Sequence, residues 1–575
     1  MTPQHNALPG GWRAWRRNPA GLSWFAQALL LAVILSPTLA YVAVGEFDAL
    51  AERLVALAGG ILGTLVLLCG LLLHWRTGWF LTFALAFVGV LDLAYIIKFG
   101  WPLDANALAL IGESNLSDAM EMVAGVPVLA FVPLMVVLSL SLASWQKPRR
   151  LPGRRHALRM LAYPLLGIVL TYATVHASSA FDPGNGEVQA FPPQAAGQAR
   201  AWRGAYPTGF LWVIGDLVVE QRALALAQAR NAGYAFGATA DDHGARRVHV
   251  LVIGEASRGD HWQLNGYARE TTPMLAARGD VVSFRRMFSP WAFSRLAVPL
   301  LITRKPESST HALFDEASLV TAFAEAGYRT AWISLKPSIG FHASPVSVHA
   351  QEADEVLYLN TTDKGSNVKN DLSALPAFRE VLAEDGRDLF VVLHTIGSHF
   401  DYSRRYEAAQ AEFLPDNPPD GRLKLFDREH AQYLVNAYDN SIRVTDRLLA
   451  SLIEILEAEV DTEAWIYYSS DHGEGLFDGC GASGHGQVSF ETQSVAAVFW
   501  ASESYARHHG PGIAALRSHI DFPLSIGMTF ETLSDLGGLR VPGRREGLSF
   551  ASRGTLPSRT ALAAEQRRVA CKAGR

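Results

Sequence analysis

Five apolar runs in the first third of the chain constrain everything that follows them. They lie near 22–44, 54–75, 79–99, 126–145 and 158–177, and each approaches the roughly 20 apolar residues needed to cross a bilayer core. Inside a bilayer every backbone N–H and C=O must be satisfied within its own segment, so such runs become helices. The expectation is an N-terminal five-helix transmembrane bundle over residues 1–179. The first run is too long for a signal peptide and is followed by further runs. The whole-chain composition fits: 49% of residues are hydrophobic and only 18% charged, values unusual for a water-soluble enzyme.

Charges between the runs orient the bundle. Arg13, Arg16 and Arg17 precede the first run. Lys147, Arg149, Arg150, Arg154, Arg155 and Arg159 fill the space between the fourth and fifth, whereas the first loop, GEFDALAER, has little positive bias. Basic loops stay on the cytoplasmic side, so the N-terminus is predicted inside. An odd number of spans then puts everything after residue 180 outside, in the periplasm of a bacterial cell. Trp24, Trp79 and Trp101 sit at run ends, as interfacial anchors do. The net charge of −5 gives no sign of nucleic-acid binding. Of the three cysteines, Cys69 lies in a run, so only Cys480 and Cys571 could pair in the outer part.

Residues 180–244 read as a Pro/Gly/Gln-rich linker followed by a helical pattern in FLWVIGDLVVEQRALALAQAR. That helix suits either the membrane interface or the surface of the next domain. From 245 to 555, short apolar runs alternate with helical patterns. Strands are expected at 247–254, 329–335, 388–395, 464–470 and 494–501, and helices at 317–327, 371–384 and 428–458. Continuous apolar strands separated by helices indicate an α/β domain with a mostly parallel sheet covered on both faces. Residues 556–575 are polar and Arg-rich and are expected to be a disordered tail.

Parallel sheets present ligands at the carboxyl ends of their strands. There the sequence concentrates chemistry. VLVIGEASRGD ends a strand with Glu255, VVLHTIGSHF ends one with His394 and His399, and IYYSSDHGEG ends one with Ser470, Asp471 and His472, with His485 following. Taken singly, each is a capping or loop residue. Their coincidence at three strand ends points to a metal site, with zinc favoured by mixed carboxylate and imidazole ligands and manganese if oxygens predominate. The segment SPWAFSRLAVPLLITR places Ser294 near a helix N-terminus, where backbone N–H groups favour an anionic phosphoryl group. A serine hydroxyl becomes a nucleophile only when a metal or base activates it.

These motifs, VLVIGEASRGDHWQLNGYARETTPML, VVLHTIGSHFDYSRRY and YYSSDHGEGLFDGCGASGHG, resemble the bacterial phosphoethanolamine transferases of the alkaline phosphatase/sulfatase superfamily, which decorate lipid A or the lipopolysaccharide core. The resemblance implies zinc ligation by Glu255, Asp471 and His472, with the oxygen of Ser294 as a further metal ligand. It implies that His399 and His485 handle the phosphoryl group or a second metal. The family nucleophile is a threonine five residues before a proline, and counting back from Pro299 gives Ser294, with Ser289 and Thr303 as the other hydroxyls of the segment. The loop ALALIGESNLSDAMEMVAG resembles a lipid-substrate segment, with Ser114 at its threonine position, Asp118 at its glutamate position and Leu110 where some relatives have asparagine. Lys336, Ser338 and His342 in WISLKPSIGFH stand where the family places phosphate-contacting residues, and His394 is a further substrate-binding candidate. The disulfides common in lipid A-modifying members are missing.

The resemblance implies transfer of phosphoethanolamine from phosphatidylethanolamine to a lipopolysaccharide acceptor through a phospho-serine, by a monomer held at the bilayer. A phosphoglycerol transferase or a membrane-bound sulfatase are rival enzymes. The sulfatase reading lacks the Cys/Ser-x-Pro-x-Arg context around Ser294. A non-catalytic membrane sensor is the rival of another class.

Overall fold

The computed structural model describes residues 19–44, 50–99, 102–103 and 201–573, except 203, 242–243, 311–313, 337–344, 361–368, 420, 422, 480–482, 487 and 555–556. The runs expected at 126–145 and 158–177, the linker, and Ser114, Asp118, Ser338, His342 and Cys480 lie outside the described residues.

The chain divides into two compact units, 1–220 and 221–575. In the first, the three leading apolar runs form helices α1 (Pro19–Val44), α2 (Leu50–Leu73) and α3 (Trp75–Phe99), each long and apolar enough to cross a membrane. Small residues let them pack closely, as is usual between membrane helices. A Cβ on Gly60 of α2 would come within 2.6 Å of Thr38 of α1. Tyr206 is buried in the same unit, where its carbonyl accepts a 2.7 Å hydrogen bond from Thr38 Oγ1. Helix α4 (Thr208–Asn231) carries the division between the units and covers the helical pattern expected there.

The second unit is built on a seven-stranded sheet. Its strands are β1 (Arg247–Gly254), β2 (Val282–Ser283), β3 (Arg329–Ser334), β4 (Glu355–Tyr358), β5 (Leu389–His394), β6 (Glu463–Ser470) and β7 (Ala497–Ala501). Their order is β2-β7-β6-β1-β5-β3-β4, with β6, β1, β5, β3 and β4 mutually parallel and β7 antiparallel to both its neighbours. The sheet is thus mixed, parallel through its centre. Strand β1 is buried along its whole length because both faces are covered. Val248, Val250 and Val252 face one core with Phe378, Leu448 and Ile466, while Leu251 and Ile253 face the other with Phe390, Val392 and Trp465. Burying each such side chain contributes about 1.5–3 kcal/mol, so the register of the central strands is firmly specified. The remaining labelled helices are α5 (Ser294–Ile302), α6 (Leu319–Glu325), α7 (Ala374–Ala383) and α8 (Ala431–Glu457).

Two expectations need correction. The run 494–501 is not one strand: Ser494 and Val495 pair with Phe288 and Met287 in a small separate sheet, and β7 starts at Ala497. Ala496 breaks the run because its N–H donates to the Ser257 carbonyl and its own carbonyl accepts from Ser470 N–H, each at 2.9 Å. The supposed disordered tail contains a helix, α9 (Arg559–Ala573). Ala561 and Ala564 pack into a cluster with Phe288 and Phe490, and the Arg568 guanidinium lies 4.3 Å from the Phe490 ring centre.

The chain leaving β6 is fixed by one close approach. Gly473 donates to the Thr492 carbonyl at 2.8 Å, and a Cβ there would lie 2.1 Å from the Glu491 carbonyl oxygen and 2.6 Å from that of Ser494. Since those atoms are backbone, Gly473→Ala is expected to destabilise the folded unit by about 1–3 kcal/mol. Thermal or denaturant unfolding of the full chain checks this, and an unchanged midpoint would contradict it.

Candidate metal centre

Sheet register brings the singled-out side chains to one edge. Gly254 of β1 lies opposite Ser470 of β6, and Ile253 opposite His394 of β5. Glu255 and Asp471 therefore leave adjacent strands at the same height. Ligand-type atoms of Glu255, Asp471 and His472 all lie within 4.8 Å of one another, and the three residues are buried.

The details define the electrostatics. His472 Nδ1 lies 2.8 Å from the Gly473 carbonyl, to which it donates, so Nε2 is turned toward the carboxylates, 3.2 Å from Glu255 Oε1 and 3.7 Å from Asp471 Oδ2. Asp471 Oδ1 accepts the N–H groups of Ala256 at 3.2 Å and His472 at 2.8 Å. Asp471 Oδ2 and His472 Nε2 are buried with no hydrogen-bond partner among the described residues. Two carboxylates buried out of water are costly unless positive charge joins them. Positive charge does gather there. The Lys336 ammonium pairs with Glu255 Oε2. Burial opposes a charged His472, yet Asp471 and Glu255 push its pKa up to about 9. Burial also works against ionised Glu255, but Lys336 and His472 hold it well below the usual carboxylate range. Asp471 is shifted upward, by burial first and by Glu255 next. Two carboxylates and one imidazole, open toward an unsatisfied centre, fit a zinc ion.

Ser294 stands beside this trio as the first residue of α5, and its Oγ donates to Glu255 Oε2 at 2.9 Å. Lys336 Nζ is 3.5 Å from Ser294 Oγ. The extended Phe293 (φ −162°, ψ 144°) turns the chain into the helix, so the helix's unpaired N–H groups and positive dipole end lie at Ser294. The alternative hydroxyls are occupied elsewhere. Ser289 Oγ donates to the Trp291 carbonyl at 2.8 Å and Thr303 Oγ1 to the Pro299 carbonyl at 2.7 Å, both in fully buried residues.

A short hairpin returns His485. Ser483 and Gly484 pair antiparallel with Leu476 and Gly475. His485 thereby reaches a ring-centre distance of 4.7 Å from His472 and 6.4 Å from His399. Its Nδ1 lies 2.9 Å from Glu474 Oε2, while Glu474 Oε1 accepts from the Tyr402 hydroxyl at 2.8 Å. Glu474 escaped the sequence reading, although it lies within the quoted SDHGEG stretch. With His472 and His485 it forms a second group of convergent ligand-type atoms.

The His399 loop is set by two devices. Asp371 accepts the N–H groups of Ile396 at 2.8 Å and Gly397 at 2.9 Å. Gly397, at φ +49°, passes so close to Glu255 that a Cβ would lie 2.7 Å from its carbonyl oxygen. His399 Nδ1 donates to the Phe400 carbonyl at 2.8 Å, and burial lowers its pKa to about 3, which leaves a neutral ring with Nε2 unprotonated. His394 ends β5 at 4% exposure, with its ring edge-on to Trp332, and it feels the charges of Lys336 and Glu255. Arg258, also buried, joins Asp260 at 2.9 Å to Asp478 at 2.8 Å and ties the loop after β1 to the segment after β6.

Comparison with known proteins agrees with this architecture. Residues 247–528 match the Sulfatase family. Phosphoethanolamine transferase EptC of Escherichia coli O18:K1:H7 (strain RS218 / NMEC) is 27% identical over 307 residues, which cover 52% of this chain and 52% of that protein. Phosphatidylethanolamine transferase Mcr-1 of Escherichia coli is 30% identical over 275 residues, covering 46% of this chain and 50% of that one. The chain therefore spans about half the length of the curated relatives it matches. Among solved structures, the integral membrane protein lipooligosaccharide phosphoethanolamine transferase A (EptA) from Neisseria meningitidis shares the fold, with a TM-score of 0.61, 21% identity, and coverage of 88% of this chain and 98% of that one. The C-terminal periplasmic domain of EptC from Escherichia coli, solved in complex with Zn, gives a TM-score of 0.50 at 24% identity, covering 56% of this chain and 91% of that domain.

If the trio holds a metal, Asp471→Asn removes a ligand charge while keeping the side chain's shape. Zinc affinity of the full chain is then expected to fall by more than the about 10–100-fold that loss of an outer-shell partner costs. The drop in melting temperature that a chelator causes in the parent protein should shrink with it. Equal zinc content and chelator response in both proteins would overturn the assignment.

Proposed function

We propose, from a chain whose residues 247–528 match the Sulfatase family, that this protein transfers phosphoethanolamine from phosphatidylethanolamine to lipid A or the lipopolysaccharide core. The observation that carries the reading is Ser294 Oγ, at a helix N-terminus, 2.9 Å from a buried carboxylate of the Glu255–Asp471–His472 trio. Relatives named phosphoethanolamine transferases support the group transferred. Placement in the bacterial inner membrane, with the N-terminus cytoplasmic and the Sulfatase domain periplasmic, is supported by α1 to α3 and by the basic loops. Donor and acceptor are both membrane lipids, which gives the apolar helices a purpose: they hold the catalytic unit at the bilayer surface.

Glu255, Asp471 and His472 would hold zinc, which when bound supplies a Lewis acid that lowers the pKa of a hydroxyl and takes up phosphoryl charge. Ser294, whose hydroxyl already points at Glu255 Oε2, loses its proton to solvent and attacks the phosphorus in line. The Ser294 O–P bond forms as the P–O bond to diacylglycerol breaks. His485, oriented by Glu474, delivers a proton to the departing oxygen. Lys336 sets positive charge against the phosphoryl oxygens. In the second half an acceptor oxygen attacks the phospho-serine, its proton passes to His485, which the first half left without one, and the P–O bond to Ser294 breaks as the serine oxygen takes a proton from solvent, with neutral His399 beside them. Ser114, Asp118 and His342 are carried as lipid-substrate contacts by the resemblance alone.

Ser294→Ala is expected to lower transfer by at least about a thousandfold and to remove a covalent phosphoethanolamine adduct detectable by peptide mass spectrometry. Metal content should stay near that of the parent, since the trio remains. Full activity in the variant, or an adduct on another residue, would sink the reading.

A further inference from the structure

Away from the metal centre, where the chain leaves the carboxyl-terminal end of α5, lies a cavity of about 230 Å³. Lys305, Glu307, Met528, Arg545, Ser558 and Arg559 are among the residues that line it. Ser294 opens this helix and Ile302 ends it, a rise of about 12 Å. Lys305 is 1% exposed, and its Nζ has no hydrogen-bond partner among the described residues. Arg545 uses Nε to pair with the fully buried Glu531 at 2.8 Å, while its terminal NH2 nitrogen is likewise buried and unpartnered among the described residues. The wall also carries one acid. Glu307 accepts from Thr560 Oγ1 at 2.6 Å and from Ser558 Oγ at 3.4 Å.

Leaving an ammonium and a guanidinium nitrogen unsatisfied out of water is expensive, and natural structures seldom keep such groups without a partner. Burial alone lowers the Lys305 pKa to about 7, which states the same cost. An apolar residue would fill the position at lower cost, so the amine is explained by what it meets. The cavity exceeds the space of one water several times over, a water's share of liquid volume being about 30 Å³. A tetrahedral oxyanion presents several acceptors to donors arriving from different sides. Glu531 neutralises the charge of Arg545. Lys305 and Arg559 against Glu307 then leave one net positive charge at the wall.

We propose that this cavity is a second anion-binding site, one that takes a phosphate group, free or as a monoester, and is separate from the Glu255–Asp471–His472 centre. It does not depend on the transferase reading. Lys305 supplies the charge and the free Arg545 nitrogen a second donor, and the Ser558 hydroxyl turns from Glu307, 3.4 Å away, to join them.

The test is titration of the detergent-solubilised full chain with inorganic phosphate, followed by calorimetry and by thermal shift. Lys305→Met should remove one bound phosphate equivalent, or weaken it by about tenfold to a hundredfold. It should also keep or raise the phosphate-free melting temperature, because a desolvated amine has been replaced by an apolar chain of similar length. Ser558→Ala should weaken the same equivalent more mildly, whereas Ser294→Ala should leave it in place. Glycerol phosphate is run in parallel. Tighter binding than inorganic phosphate assigns the site to a phosphate ester, and equal or weaker binding assigns it to free phosphate, each supporting the proposal. Unchanged phosphate stoichiometry and affinity in a folded Lys305→Met protein would overturn it.

Discussion

Glu255 and Asp471 meet out of water at the edge of a sheet, and much of the second unit exists to keep them there. Each follows a central strand whose alternate side chains enter two different cores, so neither strand can slip a residue without exposing its apolar faces. The carboxylates cannot move apart, and they cannot all be satisfied by the protein's own donors. Lys336 and a charge-favouring His472 are what the chain itself brings to them. A divalent cation would answer the same demand more completely.

Departures from ordinary backbone geometry collect around the same pair. Ala256 adopts φ +54°, a left-handed conformation that a residue with a Cβ pays about 1–2 kcal/mol to hold. Its N–H donates to Asp471 Oδ1, and its carbonyl accepts from the Tyr438 hydroxyl at 2.6 Å. Gly397 and Gly473 allow backbone to approach where no side chain fits. Strain of this kind persists only where the surroundings over-determine it, and here it aims Glu255 at His472 and the His399 loop at both.

What the sequence made legible follows the same physics. Strand β1 occupies 247–254 as expected, since a strand buried on both faces must be apolar throughout. Glu255, Asp471, His472 and His399 could be named because each follows a strand end, whereas Ser294 and His485 rest on a helix N-terminus and on the family motifs. Glu474 could not be given its task, because orienting His485 depends on a hairpin that register alone reveals. Ser289, Ser294 and Thr303 are equivalent hydroxyls on paper. Backbone acceptors two and four residues away separate the first and last from the site. Helix α9 was hidden because its buried face offers only Ala561 and Ala564, too weak an apolar signal among arginines.

Anomalous diffraction at the zinc edge, from crystals of the full chain grown with zinc, tests the central claim most directly. A peak between Glu255, Asp471 and His472, at about 2.0–2.2 Å from their ligand atoms and with Lys336 displaced from Glu255, is the predicted result. Crystals that carry no peak there and keep the Lys336–Glu255 pair intact would contradict it.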